Sequence, residues 1–121
     1  MNTQGFTTVI GARAGRHFDG ARVGWIAYDA DEDGKWVRSG NTITRRNEAG
    51  NYDFPFYGPA PYSKAPAIFI GIQEIDFGND RPLRVHSEIS VVTRERLTWQ
   101  VKTWADSNMD HMACDWIAIE S

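Results

Sequence analysis

A chain of 121 residues with 41% hydrophobic residues, a net charge of −3 and one cysteine suits one compact domain over residues 1–121, because a chain of that length buries enough surface to stand without staples. The lone Cys114 excludes an internal disulfide framework and a cysteine-rich structural zinc site. Scattered Lys and Arg leave no basic footprint for nucleic acid or an anionic membrane, and no apolar run approaches the roughly 20 residues that span a bilayer.

Taken in chain order, "MNTQGFTTVI" lacks the basic start and long apolar stretch of a signal peptide, so the chain reads as mature, non-classically released or cytosolic. Helix periodicity is absent and short β-rich runs recur between Gly, Pro, Asn and Asp clusters, which predicts an all-β domain. The first predicted strands are "FTTVIGA" (6–12) and "RVGWIAY" (22–28). Residues 37–65, with Pro55, Pro59 and Pro61, read as surface loop with a short strand around 53–57.

Next come "AIFIGIQEIDF" (67–77), "LRVHSEISVVT" (83–93), "RLTWQVKTWA" (96–105) and "MACDWIAIE" (112–120). In the first of these Ile68, Ile70 and Ile72 share a parity that Ile75 and Phe77 do not, which asks for a bulge or two-sided burial. In the second, alternation puts Leu83, Val85, Ile89 and Val91 on one face and Arg84, His86 and Glu88 on the other. In the third, Leu97, Trp99 and Val101 point inward and Thr98, Gln100 and Lys102 outward. Half-buried strands of this kind pair into two sheets packed as a sandwich.

Three groups of residues invite a chemical reading. "YDADEDGKW" places Asp29, Asp31 and Asp33 at alternate positions before Gly34. An EF-hand needs a glutamate at the twelfth position of the loop, which here is Gly40, so that reading fails. A calcium site of another kind, in which a divalent ion relieves the repulsion among Asp29, Asp31 and Asp33, stands beside the plainer reading of a hairpin turn at Asp-Gly. In "DHMACDW", His111 and Cys114 fall on opposite faces of a strand, so Cys114 is expected in the core and not as a nucleophile. Carboxylate pairs such as Glu74 and Asp76 carry no information on the separation that glycoside hydrolysis requires. In "TWADSNMD", Trp104 stands where the chain leaves a strand, with Asp106 two residues on. An aromatic face beside charged groups suits a sugar, whose C–H patch and hydroxyls need both. The alternative is that Trp104 caps the core.

The C-terminal half, "IQEIDFGNDRPLRVHSEISVVTRERLTWQVKTWADSNMDHMACDWIAIES", resembles the H-type lectin domain of invertebrate agglutinins and discoidins, with "PAIFIGIQEID", "LRV", "TWAD" and "WIAI" in order. The likeness covers residues 60–121, and thins upstream to "GW" at Gly24 and Trp25. It implies a six-stranded antiparallel β-sandwich, assembly as a homotrimer or stacked hexamer, and recognition of galactose or N-acetylgalactosamine on glycans. By position it gives Arg84 and Trp104 as ligand-binding residues, with Asp106 beside them and Gly34 as counterpart of a glycine in the family's sugar loop. Asp31 and Asp33 are the two candidates for that loop's carboxylate. Where snail-type agglutinins carry a sugar-contacting histidine after the tryptophan, this chain has Ala105. Cys114, expected in the core, gives no covalent basis for a hexamer. The chain therefore reads as a binding protein with no cofactor and not as an enzyme, acting outside cells. A trimeric structural or receptor-binding module without sugar binding is the second reading.

Overall fold

The computed structural model describes residues 5–11, 19–28, 36–45, 48–58, 60–78 and 82–120. Six strands run in the order β1 (Val37–Ile43), β2 (Gly50–Pro55), β3 (Ala67–Phe77), β4 (Val85–Val92), β5 (Arg96–Thr103) and β6 (Met109–Ile119). They form two antiparallel three-stranded sheets, β1-β6-β3 and β2-β5-β4. No described residue is helical. The expected antiparallel β-sandwich is therefore what the chain adopts.

The inner faces follow the period-two rule. Leu97, Trp99 and Val101 of β5 are buried, and so are Met112, Cys114, Trp116 and Ala118 of β6, because alternate residues of a central strand face the opposing sheet. Burial pushes the Cys114 thiol pKa up, as expected of a core cysteine with its charged form desolvated. Strand β3 changes register between Ile72 and Glu74, and this bulge produces the parity switch between Ile70 and Ile75, both packed against the core. A second bulge between Ile89 and Val91 corrects the expectation for β4. Val91 is turned outward and exposed while Val92 packs on the core, because one extra residue flips every side chain that follows.

The first two strands also differ from expectation. Residues 6–11 and 22–28 lie outside the strands, and the segment read as loop supplies β1, while the short strand expected around 53–57 is found as β2 over Gly50–Pro55. Alternation failed to announce β1 because its inward positions are Arg38, Gly40 and Thr42, none of them a large apolar residue. Each has a local reason. A Cβ on Gly40 would stand 2.7 Å from Cζ2 of Trp116, so the strand passes the indole only without a side chain. The Arg38 guanidinium lies 4.1 Å from the centroid of the buried Tyr62 ring and donates to the carbonyl of Ala60 at 2.6 Å, a cation–π contact with the charge hydrogen-bonded. Tyr62 in turn donates to the carbonyl of Ala118 at 3.1 Å, and its backbone N–H is held by the carbonyl of Arg94. The proline-rich 56–66 connection is thereby tied down as a cap over one end of the sandwich.

That end carries the β2–β3 and β4–β5 connections, and we call it the lower end. The β1–β2, β3–β4 and β5–β6 connections all lie at the other, upper end.

Gly40→Ala is expected to destabilise the fold by about 1–3 kcal/mol through overpacking against Trp116, and Leu97→Ala by about 2–5 kcal/mol through the cavity it leaves. Equilibrium urea unfolding measures both, and a Gly40→Ala chain as stable as the parent would contradict the packing described.

Candidate functional site

Val85 and Thr103 are the last paired residues of the β4–β5 ladder at the upper end. Arg84 and Trp104 follow one rung beyond them, on the parity that faces solvent. The ladder thus places Arg84 and Trp104 at facing positions just beyond its end, on strands about 4.8 Å apart. Trp104 is 52% exposed; it is a presented ring and not a cap over the core.

Arg84 is fixed from two directions. Its Nη1 donates to Asp106 Oδ1 at 2.6 Å, and its backbone N–H donates to Ser107 Oγ at 2.6 Å. The Ser107 hydroxyl donates onward to the carbonyl of Pro82 at 3.1 Å. Ser107 therefore pins the β5–β6 turn to the start of β4, and the turn holds Asp106 against Arg84. Both side chains of the pair are at least one-third exposed, so the ion pair contributes little stability in water. Its effect is positional, since it orients a charged hydrogen-bond donor next to an aromatic face. Between Trp104 and Asp106, Ala105 adopts φ 57°, the left-handed region that costs a residue with a Cβ roughly 1–2 kcal/mol. The turn that places Asp106 is thus made at some local cost.

The outer face of β2-β5-β4 continues this polar character. Glu88 receives hydrogen bonds from Lys102 at 3.3 Å and lies 3.3 Å from His86 Nε2. His86, then Lys102, hold its carboxyl pKa below the ordinary value. Asn51 accepts from Gln100 at 2.8 Å, and Thr98 donates to Asp53 at 2.5 Å.

The β1–β2 connection reaches the same upper end and borders a cleft of about 460 Å³ lined by Arg45, Glu48, Asn51, Tyr52 and Asp53, with Ile43 at its apolar side. Arg45 and Glu48 are paired at 3.5 Å, and Tyr52 donates to the carbonyl of Glu48 at 2.5 Å. Sequence reasoning placed these residues in a surface loop with only a short strand around 53–57, whereas Asn51, Tyr52 and Asp53 lie on β2 and Arg45 and Glu48 on the connection from β1.

Of the residues singled out from the sequence, Arg84 and Asp106 are paired, and Trp104 follows the strand end opposite Arg84. Asp29, Asp31, Asp33 and Gly34 lie outside the described residues. The described neighbours on either side are held towards the lower half of β1: Tyr28 donates to Ser39 Oγ at 2.7 Å, and the carbonyl of Trp36 accepts from Glu120 N–H at 2.8 Å. Among the described residues no group of three or more His, Cys, Asp or Glu side chains is arranged to hold a metal ion. His111 and Cys114 are on opposite faces, with Cys114 buried and His111 3.2 Å from Glu74 on the outer side.

Replacing Ala105 by Gly is expected to relieve the left-handed turn and raise stability by up to about 1 kcal/mol, whereas the β-branched Ala105→Val loses at least about 1 kcal/mol. Thermal unfolding of the two variants gives the comparison; the reverse order would show that the turn stores no strain at this residue.

Residues 53–119, more than half of the chain, match the H-type lectin domain. A protein of Fuscovulum blasticum described as "ATP synthase subunits region ORF 7" is 27% identical over 112 residues, covering 93% of this chain and 89% of that one. Among solved structures, the Pseudomonas phage phi297 tailspike gp61 superposes with a TM-score of 0.51 at 13% identity over 70% of this chain. This chain covers 15% of the tailspike's length, and at that identity the likeness concerns the fold alone.

Proposed function

The chain belongs to the H-type lectin domain family, and from that premise we propose that it is a non-catalytic lectin for galactose-type sugars, galactose or N-acetylgalactosamine, working through several sites on a homotrimer. The observation that carries the reading is the exposed Trp104 at the strand end opposite Arg84, which is itself paired with Asp106. The indole receives the apolar C–H face of a pyranose. Arg84 donates to ring hydroxyls and Asp106 accepts from them, each through charge-assisted bonds. Glu48 and Asn51 of the neighbouring cleft add acceptors from the same chain. Asp31 or Asp33, with Gly34, supplies a further carboxylate acceptor, as the likeness to the family's sugar loop implies.

Each such hydrogen bond replaces one to water and is worth about 1 kcal/mol net. A single site is consequently weak, and useful binding comes from several sites engaging one glycosylated surface. Ala105 stands where related agglutinins use a histidine, which removes one polar contact and loosens the preference for N-acetylgalactosamine over galactose.

A glycan array probed with and without a chelator is expected to show terminal galactose or N-acetylgalactosamine binding that survives chelation. Loss of signal on chelation would assign Asp29, Asp31 and Asp33 to a calcium ion. Arg84→Ala is expected to abolish array binding while leaving the unfolding midpoint within about 0.5 kcal/mol of the parent, as for an exposed side chain away from the core. A chain silent on every sugar under both conditions would instead make this sandwich a structural or receptor-binding module.

A further inference from the structure

Positive charge on the outer face of β2-β5-β4 and beside the β1–β2 cleft is matched, side chain to side chain, by carboxylates. Arg84 is bonded to Asp106 at 2.6 Å. One rung inside the ladder Lys102 stands opposite His86, and both reach Glu88 at 3.3 Å. Farther along β5, Arg96 lies 3.8 Å from Asp53, and on the β1–β2 connection Arg45 lies 3.5 Å from Glu48. Among the described residues, each arginine or lysine bordering the candidate site therefore has a carboxylate against it. Ion pairs this exposed add little stability, but each removes an uncompensated cation from the surface that a ligand meets.

Arg84 is the cation placed opposite Trp104, so its partner decides what the site accepts. A free guanidinium grips a carboxylate or sulfate through two parallel hydrogen bonds. With Asp106 Oδ1 already on Nη1, an anionic group on a sugar meets a guanidinium whose charge is neutralised and a carboxylate that repels it. A neutral hydroxyl meets neither obstacle. It accepts from the N–H groups of Arg84 that Asp106 leaves unused, and donates to the Asp106 carboxylate. Asp106 is also held by more than this bond: Ser107 ties the turn to the Arg84 N–H and to the carbonyl of Pro82, and Ala105 takes the left-handed conformation immediately before it.

We propose that Asp106 sets the charge specificity of this site, admitting uncharged sugar units to the Arg84–Trp104 end and excluding those that carry a carboxylate or a sulfate ester. The proposal rests on the sugar-binding reading above and deepens it by naming the ligand class and the residue that selects it. Selection of this kind works through a repulsive element set against the wrong ligand as well as through contacts to the right one.

The test titrates methyl galactoside and two anionic counterparts, its C6 carboxylate and its 3-O-sulfate, into the full chain at low ionic strength, where exposed charges are least screened. The parent is expected to bind the neutral sugar about fivefold or more tighter than either anion. Asp106→Asn keeps an oxygen that accepts from Arg84 and removes only the charge; it is expected to narrow that ratio about threefold to fivefold, as loss of a partly exposed charge contact does. Glu88→Gln removes a nearby charge that is not on Arg84 and is expected to leave the ratio unchanged. Each variant is first checked for the parent's thermal midpoint. A parent indifferent to charge, an Asp106→Asn chain with the parent's ratio, or a Glu88→Gln chain that shifts the ratio equally would each overturn the proposal. Inorganic sulfate, followed at the Arg84 Nε–H resonance at constant ionic strength, tests the same residue without a sugar. A saturable shift in Asp106→Asn that the parent lacks supports the proposal, and equal responses overturn it. A parent that binds no sugar, with sulfate captured only by Asp106→Asn, supports Asp106 as the anion-excluding residue and counts against the lectin reading alone.

Discussion

The passage of β1 over Trp116 sets the rest of the molecule. The indole lies against Gly40 on one side and the Phe56 ring on the other, at a centroid distance of 5.6 Å. Phe56 meets Tyr62 edge-to-face at 5.4 Å, and Tyr62 supports Arg38, two residues before Gly40 on the same inward row. This closed circuit joins β1, β6 and the 56–66 connection at the lower end. Had β1 been one residue out of register, a side chain would meet Trp116 and Arg38 would face water. With the register fixed below, the three upper connections have only one place to converge, and Arg84, Trp104 and the β1–β2 cleft follow from it.

What was legible in the sequence divides along the same physics. Strands β3 to β6 announce themselves because a half-buried strand with large apolar inward residues must alternate, as Leu97, Trp99 and Val101 do. The β3 bulge could be read from the parity break at Ile75, whereas the β4 bulge was hidden because Val91 and Val92 are both apolar and either parity satisfies the pattern. Strand β1 was invisible because its inward row is made of a stacked arginine, a glycine forced by an indole and a buried threonine. Each of those roles exists only once the opposite sheet is in place. Residues 6–12 and 22–28 gave the converse error: β-rich composition marks a segment suited to extended pairing and not whether it finds a strand to pair with.

The site shows the same limit. Arg84 and Trp104 could be assigned to strand ends before the fold was known, since the ladder of β4 and β5 carries them there. Asp106 was a neighbour in sequence, but its bond to Arg84 depends on the left-handed turn at Ala105 and on Ser107 bridging to Pro82, a geometry that no spacing rule encodes. The lining of the β1–β2 cleft was lost because residues 37–65 read as a loop with only a short strand, so the start of β2 and the connection before it were not placed.

The two ends of the sandwich are suited to different work. The upper end presents polar and aromatic side chains from loops held by a rigid ladder, the arrangement that lets weak individual contacts be oriented in advance. The outer β1-β6-β3 face, with the exposed segment that leads into it at Ser39, is apolar towards the lower end. For the proposed lectin the relative direction of several sites decides the outcome, because sites that point together can engage one glycosylated surface and multiply their affinities, while sites that point apart cannot. A single site of the proposed kind is weak because it offers few contacts, each exchanged for one to water, and useful affinity follows only where several such sites engage together.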